Sequence, residues 1–304
     1  MNEPAVVVTG ASTGIGRAAA LHLDSLGLRV FAGVRKDSDG ESLSAAASKR
    51  LVPLRLDITD PSFISIAAEV VTREVRDSRL LGVVNNAGIA VAGPLEFVPL
   101  DDFRRQLEVN VTGQLAVTQA FIPLLRESRG RVVFVSSVAG KFSQPFAGPY
   151  CASKHALEAL ADALRVEMRP WSIDVSLIEP GAVATPIWDK GLEMADAMME
   201  SLPRRIHELY GTAIEVAKTL SRREAENGVP PQQVALAIAE ALTAPRPKTR
   251  YVVGRDAKMM LLARRILSDR LRDALIFRVS GLPKTEADVR SRPARVKAAS
   301  GSGH

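Results

Sequence analysis

Tyr150 and Lys154 stand four residues apart in Tyr-Cys-Ala-Ser-Lys, so on a helix they share one face. A free tyrosine has a pKa near 10 and is a poor base at neutral pH; bringing it to about 7 needs about 4 kcal/mol of differential stabilisation. One cation about 4 Å away supplies something of that size at an effective dielectric of 20, with desolvation opposing it. The pair is therefore a candidate proton-transfer group, and Ser137 is a candidate to hold a substrate oxygen by hydrogen bonding. Taken singly, each has an ordinary alternative: a Tyr-x-x-x-Lys pair on a helix surface, or a serine that caps a helix. Cys151 has no evident base beside it and reads as a packing residue.

A second chemical feature lies near the start of the chain, in Gly10-Ala11-Ser12-Thr13-Gly14-Ile15-Gly16. Glycine lets the backbone turn sharply and approach a pyrophosphate, and a following helix presents free N–H groups and a positive dipole end to the anion. The alternative is a plain tight turn. In dinucleotide folds an acid about 20 residues further on binds the ribose 2′-hydroxyl, whereas arginine accommodates a 2′-phosphate. Here Val34 holds the acid position and Arg35 follows it, which favours NADP over NAD, with Thr13 as a further hydroxyl contact. Asp37 and Asp39 lie close by as alternatives for the hydroxyl role.

The elements that must position these groups alternate between short apolar runs and amphipathic stretches. Strands are expected at Ala5–Thr9, Arg29–Gly33, Leu51–Leu56, Leu80–Asn85, Arg131–Ser136, Asp174–Ile178 and Arg250–Val253. Helical patterns run over Ile15–Leu26, Pro61–Val75, Asp101–Leu125 and Ala152–Met168. This rhythm predicts parallel βαβ units in a single α/β domain with a doubly wound parallel sheet of about seven strands, buried on both faces. The domain is expected to span 1–255, including a helical substrate lid over 186–230, followed by a helical extension over 256–284 and a disordered tail over 285–304.

Composition narrows the function classes. With 46% hydrophobic and 24% charged residues, the 304-residue chain is an ordinary globular sequence and is long enough to bury a core without staples. One cysteine and four scattered histidines give no disulfide and no metal-ligand spacing, so no metal is expected. A net charge of +6 suggests an anionic ligand; nucleic acid is not expected, because the 5% aromatic content offers no stacking platform among the basic residues. No signal peptide or apolar stretch of spanning length is seen, which points to a cytoplasmic protein.

The glycine spacing, Asn85-Asn86-Ala87-Gly88 after the fourth strand, Asn110, Ser136-Ser137, Tyr150 with Lys154, and Pro180-Gly181 with Thr185 occur in one order. Together they resemble the short-chain dehydrogenase/reductase family over about residues 4–255. The wording YCASK, LEAL, IEPG and TRY is most similar to its retinol, 17β-hydroxysteroid and 3-hydroxybutyrate dehydrogenase branch. The resemblance implies a Rossmann-like fold and an NAD(P)-dependent oxidoreductase. It implies that Lys154 also binds the nicotinamide ribose and that Asn110 helps fix a proton-relay water. Asp57 would meet the adenine edge, although a strand-end turn or helix cap is its ordinary alternative. Ile15, Asn86, Ala87 and Gly88 would line the cofactor groove. Pro180, Gly181, Val183 and Thr185 would close its nicotinamide end, with Thr185 on the carboxamide. Subunits would pair through the helices near Asp101–Leu125 and Tyr150–Met168 into a homo-oligomer, unless those apolar faces are buried on the subunit's own sheet.

The lid carries Met194, Met198, Leu202, Ile206 and Leu209 at helical spacing, with Met199 as adaptable surface. Such a stripe is either core or a ligand surface, and Phe142, Phe146 and Trp188 are candidate pocket walls. The expected substrate is a small hydrophobic alcohol or carbonyl compound. The alternatives are an NAD-linked hydroxy-acid dehydrogenase and a catalytically silent nucleotide-binding sensor. Lys258–Phe277 is basic and amphipathic, with Met259, Leu262, Ile266, Leu267, Leu271 and Leu275 near one face. It reads either as a helix pair that closes the pocket or a subunit interface, or as a weak peripheral membrane contact, with Ser268-Asp269 as a break between two helices.

Overall fold

The computed structural model describes residues 3–201 and 205–283. Seven parallel strands form one sheet: β1 (Ala5–Val8), β2 (Arg29–Val34), β3 (Leu51–Arg55), β4 (Leu80–Asn85), β5 (Arg131–Val135), β6 (Asp174–Pro180) and β7 (Arg250–Val253). Their spatial order is β3-β2-β1-β4-β5-β6-β7. The chain steps outward from β1 to β3, then returns to the other side of β1. The winding direction reverses between β1 and β4, and the crevice at their carboxyl ends is where such sheets bind ligands.

Helices α1 (Gly14–Ser25), α2 (Asp37–Ser44), α3 (Pro61–Glu74), α4 (Leu100–Leu107), α5 (Gly113–Ser128) and α6 (Gly148–Glu167) connect the first six strands. After β6 come α7 (Ile187–Ser201), α8 (Arg205–Asn227) and α9 (Pro231–Thr243), and after β7 come α10 (Arg255–Ile266) and α11 (Asp269–Val279). Alternate strand residues point to opposite faces. Val6, Val8, Val30 and Ala32 pack with Ala19, Ala20 and Leu23 of α1 and with Val234 and Ile238 of α9. Ala5, Val7, Phe31 and Phe134 pack instead with α3, α5 and α6 through Val71, Phe121 and Leu157. Fully burying a side chain such as Phe31 or Phe121 contributes roughly 1.5–3 kcal/mol. Pro53 is tolerated in β3 because that strand is at the edge of the sheet.

The strands match the sequence expectation to within two residues. The expected helix over Asp101–Leu125 is interrupted by a π-helical turn at Glu108–Thr112. Two helices had no counterpart in the sequence reading: polar α2, and α9 beyond the lid. The basic segment divides at Leu267-Ser268, where Ser268-Asp269 had suggested a break. Leu202, the side chain of Met198 and the 285–304 tail lie outside the described residues.

Candidate active site

Gly10 and Gly14 adopt left-handed backbone angles, φ +65° and +55°, which a side chain would strain. A Cβ on Gly10 would lie 2.8 Å from Ala87 Cα, and one on Gly16 would overlap Gly10 O and the Asn86 amide. The glycine turn and the Asn86–Gly88 loop are therefore pressed together. Asn86 fastens them, with Nδ2 donating to Thr9 O at 2.9 Å and Gly10 O at 3.1 Å. The Thr9 hydroxyl accepts from Asn86 N at 2.9 Å and Ala87 N at 3.0 Å. Helix α1 starts at Gly14 with Thr13 in the capping position and no side-chain cap. Its first-turn N–H groups thus have no intrahelical acceptor and face the crevice with the positive end of the helix dipole, as an anion site requires. This uncapped terminus, together with a turn that leaves no room for side chains, fits a dinucleotide pyrophosphate.

The loop after β4 is held from below by one helix face. Gln106, Asn110, Gln114 and Thr118, spaced every four residues through α4, the π turn and α5, are all fully buried. Gln106 accepts from Val91 N at 2.6 Å and donates to Ile89 O at 2.8 Å. Asn110 accepts from Ile89 N at 2.9 Å and donates to Ile89 O at 3.0 Å and Ser153 Oγ at 3.1 Å. Gln114 donates to Ala87 O at 2.7 Å, and Thr118 accepts from Asn85 Nδ2 at 2.8 Å. Sequence reasoning found only Asn110 of this ladder. The four-residue period of polar side chains was the signal available.

Ser137 caps a short 3₁₀ turn at the end of β5, accepting from Ala139 N at 3.1 Å, and its hydroxyl hydrogen-bonds the Tyr150 phenol. Ser153 donates to Tyr150 O at 2.7 Å and so links Asn110 to the Tyr150 turn. Lys154 is buried; its Nζ donates to Val135 O at 2.8 Å and lies 5.7 Å from the Tyr150 ring centroid. Ser137, Tyr150 and Lys154 thus converge, with Asn110 joined through Ser153. Burial pushes the Tyr150 phenol up to about 12, against the lowering effect of the Ser137 hydrogen bond. Burial also pulls Lys154 down to about 8, while the Glu158 carboxylate works the other way. In the chain itself burial is the dominant influence on Tyr150. Cys151 is buried and its thiol is pushed up by that burial, consistent with packing.

The far wall is the loop after β6. Thr185 faces Gly14 closely enough that a Cβ there would lie 3.1 Å from Thr185 Cγ2. Asp256, at the start of α10, accepts from Ala182 N at 2.8 Å and fixes the Pro180–Gly181 corner; Gly181 has no side chain to obstruct it. Trp188 donates from Nε1 to Val183 O at 2.8 Å, so it braces this loop. At the other end of the crevice Arg35 is exposed beyond β2. Asp37 is engaged by Arg55 at 2.9 Å, and Asp57 accepts from Thr59 N and Oγ1 at 3.0 and 2.8 Å, which holds its carboxylate just beyond the end of β3.

Helices α7 and α8 pack onto the loops that carry Phe97 and Phe146. Met199, expected as adaptable surface, is instead buried with Ile206 and Ile214 against Phe97, Phe146 and Tyr210. The Tyr210 ring meets Phe97 and Phe146 edge-on at 6.0 and 6.3 Å, and its hydroxyl donates to Glu96 at 2.8 Å. Phe146 is held at φ +67°, and its carbonyl accepts from Gly93 N at 2.7 Å. Phe142 lies under the Arg272 guanidinium of α11, 6.0 Å from its ring centroid. Among the described residues no acidic, histidine or cysteine cluster is placed to hold a metal, and no helix is long and apolar enough to cross a membrane.

The family model for short chain dehydrogenase matches residues 4–196. Retinol dehydrogenase 5 of Mus musculus is 39% identical over 279 residues, covering 89% of this chain and 87% of its own. The NADPH-dependent 3-dehydrocapnine reductase of Ornithobacterium rhinotracheale is 35% identical, covering 90% and 95%. Among solved structures, a short chain dehydrogenase/reductase from Burkholderia phymatum in complex with NAD superposes with a TM-score of 0.74 at 25% identity, covering 93% of this chain and 98% of that one.

Proposed function

The chain belongs to the short-chain dehydrogenase/reductase family, in the branch that includes retinol dehydrogenases, and on that premise we propose that it interconverts a hydrophobic alcohol and its carbonyl compound with NADP preferred over NAD. It is an oxidoreductase that works with a nicotinamide cofactor. The observation that carries the proposal is the convergence of Ser137, Tyr150 and Lys154 at the carboxyl end of the sheet, beside the uncapped start of α1.

The first turn of α1 with Ser12 to Gly16 would hold the pyrophosphate, and Arg35 with Thr13 the 2′-phosphate. Asp57 would meet the adenine, Asn86 to Gly88 would line the groove, and Lys154 would bind the ribose. Pro180, Gly181, Val183 and Thr185 would hold the nicotinamide end. When bound, the nicotinamide supplies or accepts the hydride. The Ser137 hydroxyl holds the substrate oxygen, and Tyr150 Oη gives that oxygen a proton in reduction and takes one in oxidation. A phenol held up to about 12 keeps its proton at neutral pH, which suits the reducing direction. Oxidation needs the phenolate favoured, and Lys154 supports that only while it is charged. Asn110, tied to the Tyr150 turn through Ser153, would help fix a relay water.

Arg35 supports NADP because it is exposed at the end of β2 while its acidic neighbour Asp37 is engaged by Arg55. The NADPH-dependent relative points the same way. The apolar cluster of Phe97, Phe146 and Met199 supports a hydrophobic substrate. Homo-oligomer formation through the surfaces of α4, α5 and α6, a cytoplasmic location, and reversible membrane contact through α10 and α11 complete the proposal. Turnover of a panel of hydrophobic alcohols and ketones with each cofactor tests it. Activity confined to NAD sinks the cofactor preference, and tight nucleotide binding without turnover on any substrate sinks the enzymatic role.

A further inference from the structure

Lys154 has a buried acidic neighbour one turn along α6 that the mechanism does not yet use. Glu158 is itself buried, and the i, i+4 spacing sets the two side chains on one helix face about 5–6 Å apart at Cβ. Gly140 makes the close fit possible: a Cβ there would lie 2.9 Å from Glu158 Cγ and 3.0 Å from Lys154 O. Two cations meet its carboxylate. Lys141, after the 3₁₀ turn, is 2.8 Å from its Oε2, and Arg250 of β7 is 3.1 Å away. Arg250 also meets Asp162 of α6 at 2.6 Å and Glu179 of β6 at 2.9 Å, and Asp162 pairs with Arg165 at 2.8 Å.

These charges form two layers. The inner one holds Glu158, Glu179 and Lys154, all nearly inaccessible to solvent; the outer cations Lys141, Arg250 and Arg165 are each about a quarter exposed. Burial and the adjacent Glu158 push Glu179 up to about 7, with Arg250 and Lys141 opposing. A buried ammonium without a compensating charge sheds its proton. Glu158 is the charged group that works against burial at Lys154.

We propose that Glu158 is a positioning residue for the reaction, whose buried carboxylate keeps Lys154 in its charged form while Lys141 and Arg250 moderate that field. The inference rests on the role given to Lys154 above. It carries a sign that packing alone would not produce. Removing the carboxylate disfavours the lysine cation, whereas removing Lys141 frees the carboxylate to favour it.

The test uses the full chain labelled at lysine Cε with ¹³C, without nucleotide. NMR titration follows each lysine from about pH 6 to about pH 11, and the Lys154 signal is assigned by its loss in Lys154→Met. The Lys154 midpoint is expected to fall by about one pH unit in Glu158→Gln and to rise in Lys141→Met. In turnover, the alkaline limb of the pH profile is expected to move in the same two directions. An unchanged midpoint in Glu158→Gln, or movement of both variants in one direction, overturns the inference. Should Glu158→Gln not fold, Lys141→Met decides alone, since the absence of a rise overturns it. A native chain that turns over no alcohol or carbonyl compound sinks the proposed function and leaves the titration result standing. A flat titration with normal turnover sinks only the role of Glu158.

Discussion

Tyr150 keeps its proton because burial outweighs the hydrogen bond from Ser137, so deleting its hydroxyl removes a proton that the site holds ready. Tyr150→Phe is expected to lower turnover roughly 10²–10⁴-fold, the usual contribution of a positioned acid or base. Nucleotide affinity should change little, which a binding titration on the variant checks; near-normal turnover would remove Tyr150 from the mechanism. Arg35→Ala is expected to weaken NADP roughly tenfold or more, the loss of one charged hydrogen bond, while NAD affinity stays nearly constant. Equal losses for both cofactors would show that Arg35 does not contact the 2′-phosphate. These residues were legible because their chemistry is local: Tyr150 with Lys154 and Gly10 through Gly16 lie within one or two turns of chain. Thr9 and Asp256 were not legible, since their partners Asn86 and Ala182 are 77 and 74 residues away. Glu158 was not legible either, since its partner Arg250 of β7 is 92 residues away.

The polar face of α4 and α5 sets the height of the whole loop after β4. Gln106 is the acceptor for Val91 N and shares Ile89 O with Asn110. Gln106→Leu would leave the buried Val91 N without its acceptor, at a cost of about 1–3 kcal/mol, while Ile89 O keeps Asn110. The midpoint of urea unfolding should fall accordingly, and nucleotide affinity should drop with it as the Ala87–Gly88 wall loosens; unchanged values for both would show that the loop holds itself. Strands were the most readable elements, since a parallel sheet covered on both faces demands near-continuous apolar runs. The π turn had no such mark, because Glu-Val-Asn-Val-Thr is compatible with an ordinary helix and only tertiary packing distinguishes the two. Helix α2 was missed for the opposite reason: Asp-Ser-Asp-Gly reads as a loop, yet Gly40 packs closely on Pro53 of β3.

Beyond the sheet, α10 and α11 leave an apolar face uncovered. Met259, Leu262, Ile266, Leu271, Leu275, Phe277 and Val279 are all exposed, among the cations Lys258, Arg264, Arg265 and Arg270. The same helices also serve the interior. Arg272 covers Phe142, and Gly281 comes within close contact of Val216 on α8, so one side of the segment packs on the domain while the other is exposed. The full chain is expected to float with liposomes containing anionic lipid and to be released by salt, because exposed cations are screened. Recovery in the soluble fraction at low salt would refute membrane contact. The sequence showed this segment as amphipathic, but the period of a helix does not say whether lipid, a lid or a second subunit receives its apolar side.

The π turn also fixes where this chain can change length. Each residue of an ordinary helix turns the axis by roughly 100°. Losing one residue between Glu108 and Thr112 would therefore restore a regular helix and swing Gln106 out of line with Gln114. No side-chain exchange elsewhere could realign them. Surface connections absorb insertions far more readily than a face whose every fourth side chain is engaged. Over evolutionary time, gaps and extra residues should collect where loops meet solvent, while the count from Gln106 to Thr118 stays the same.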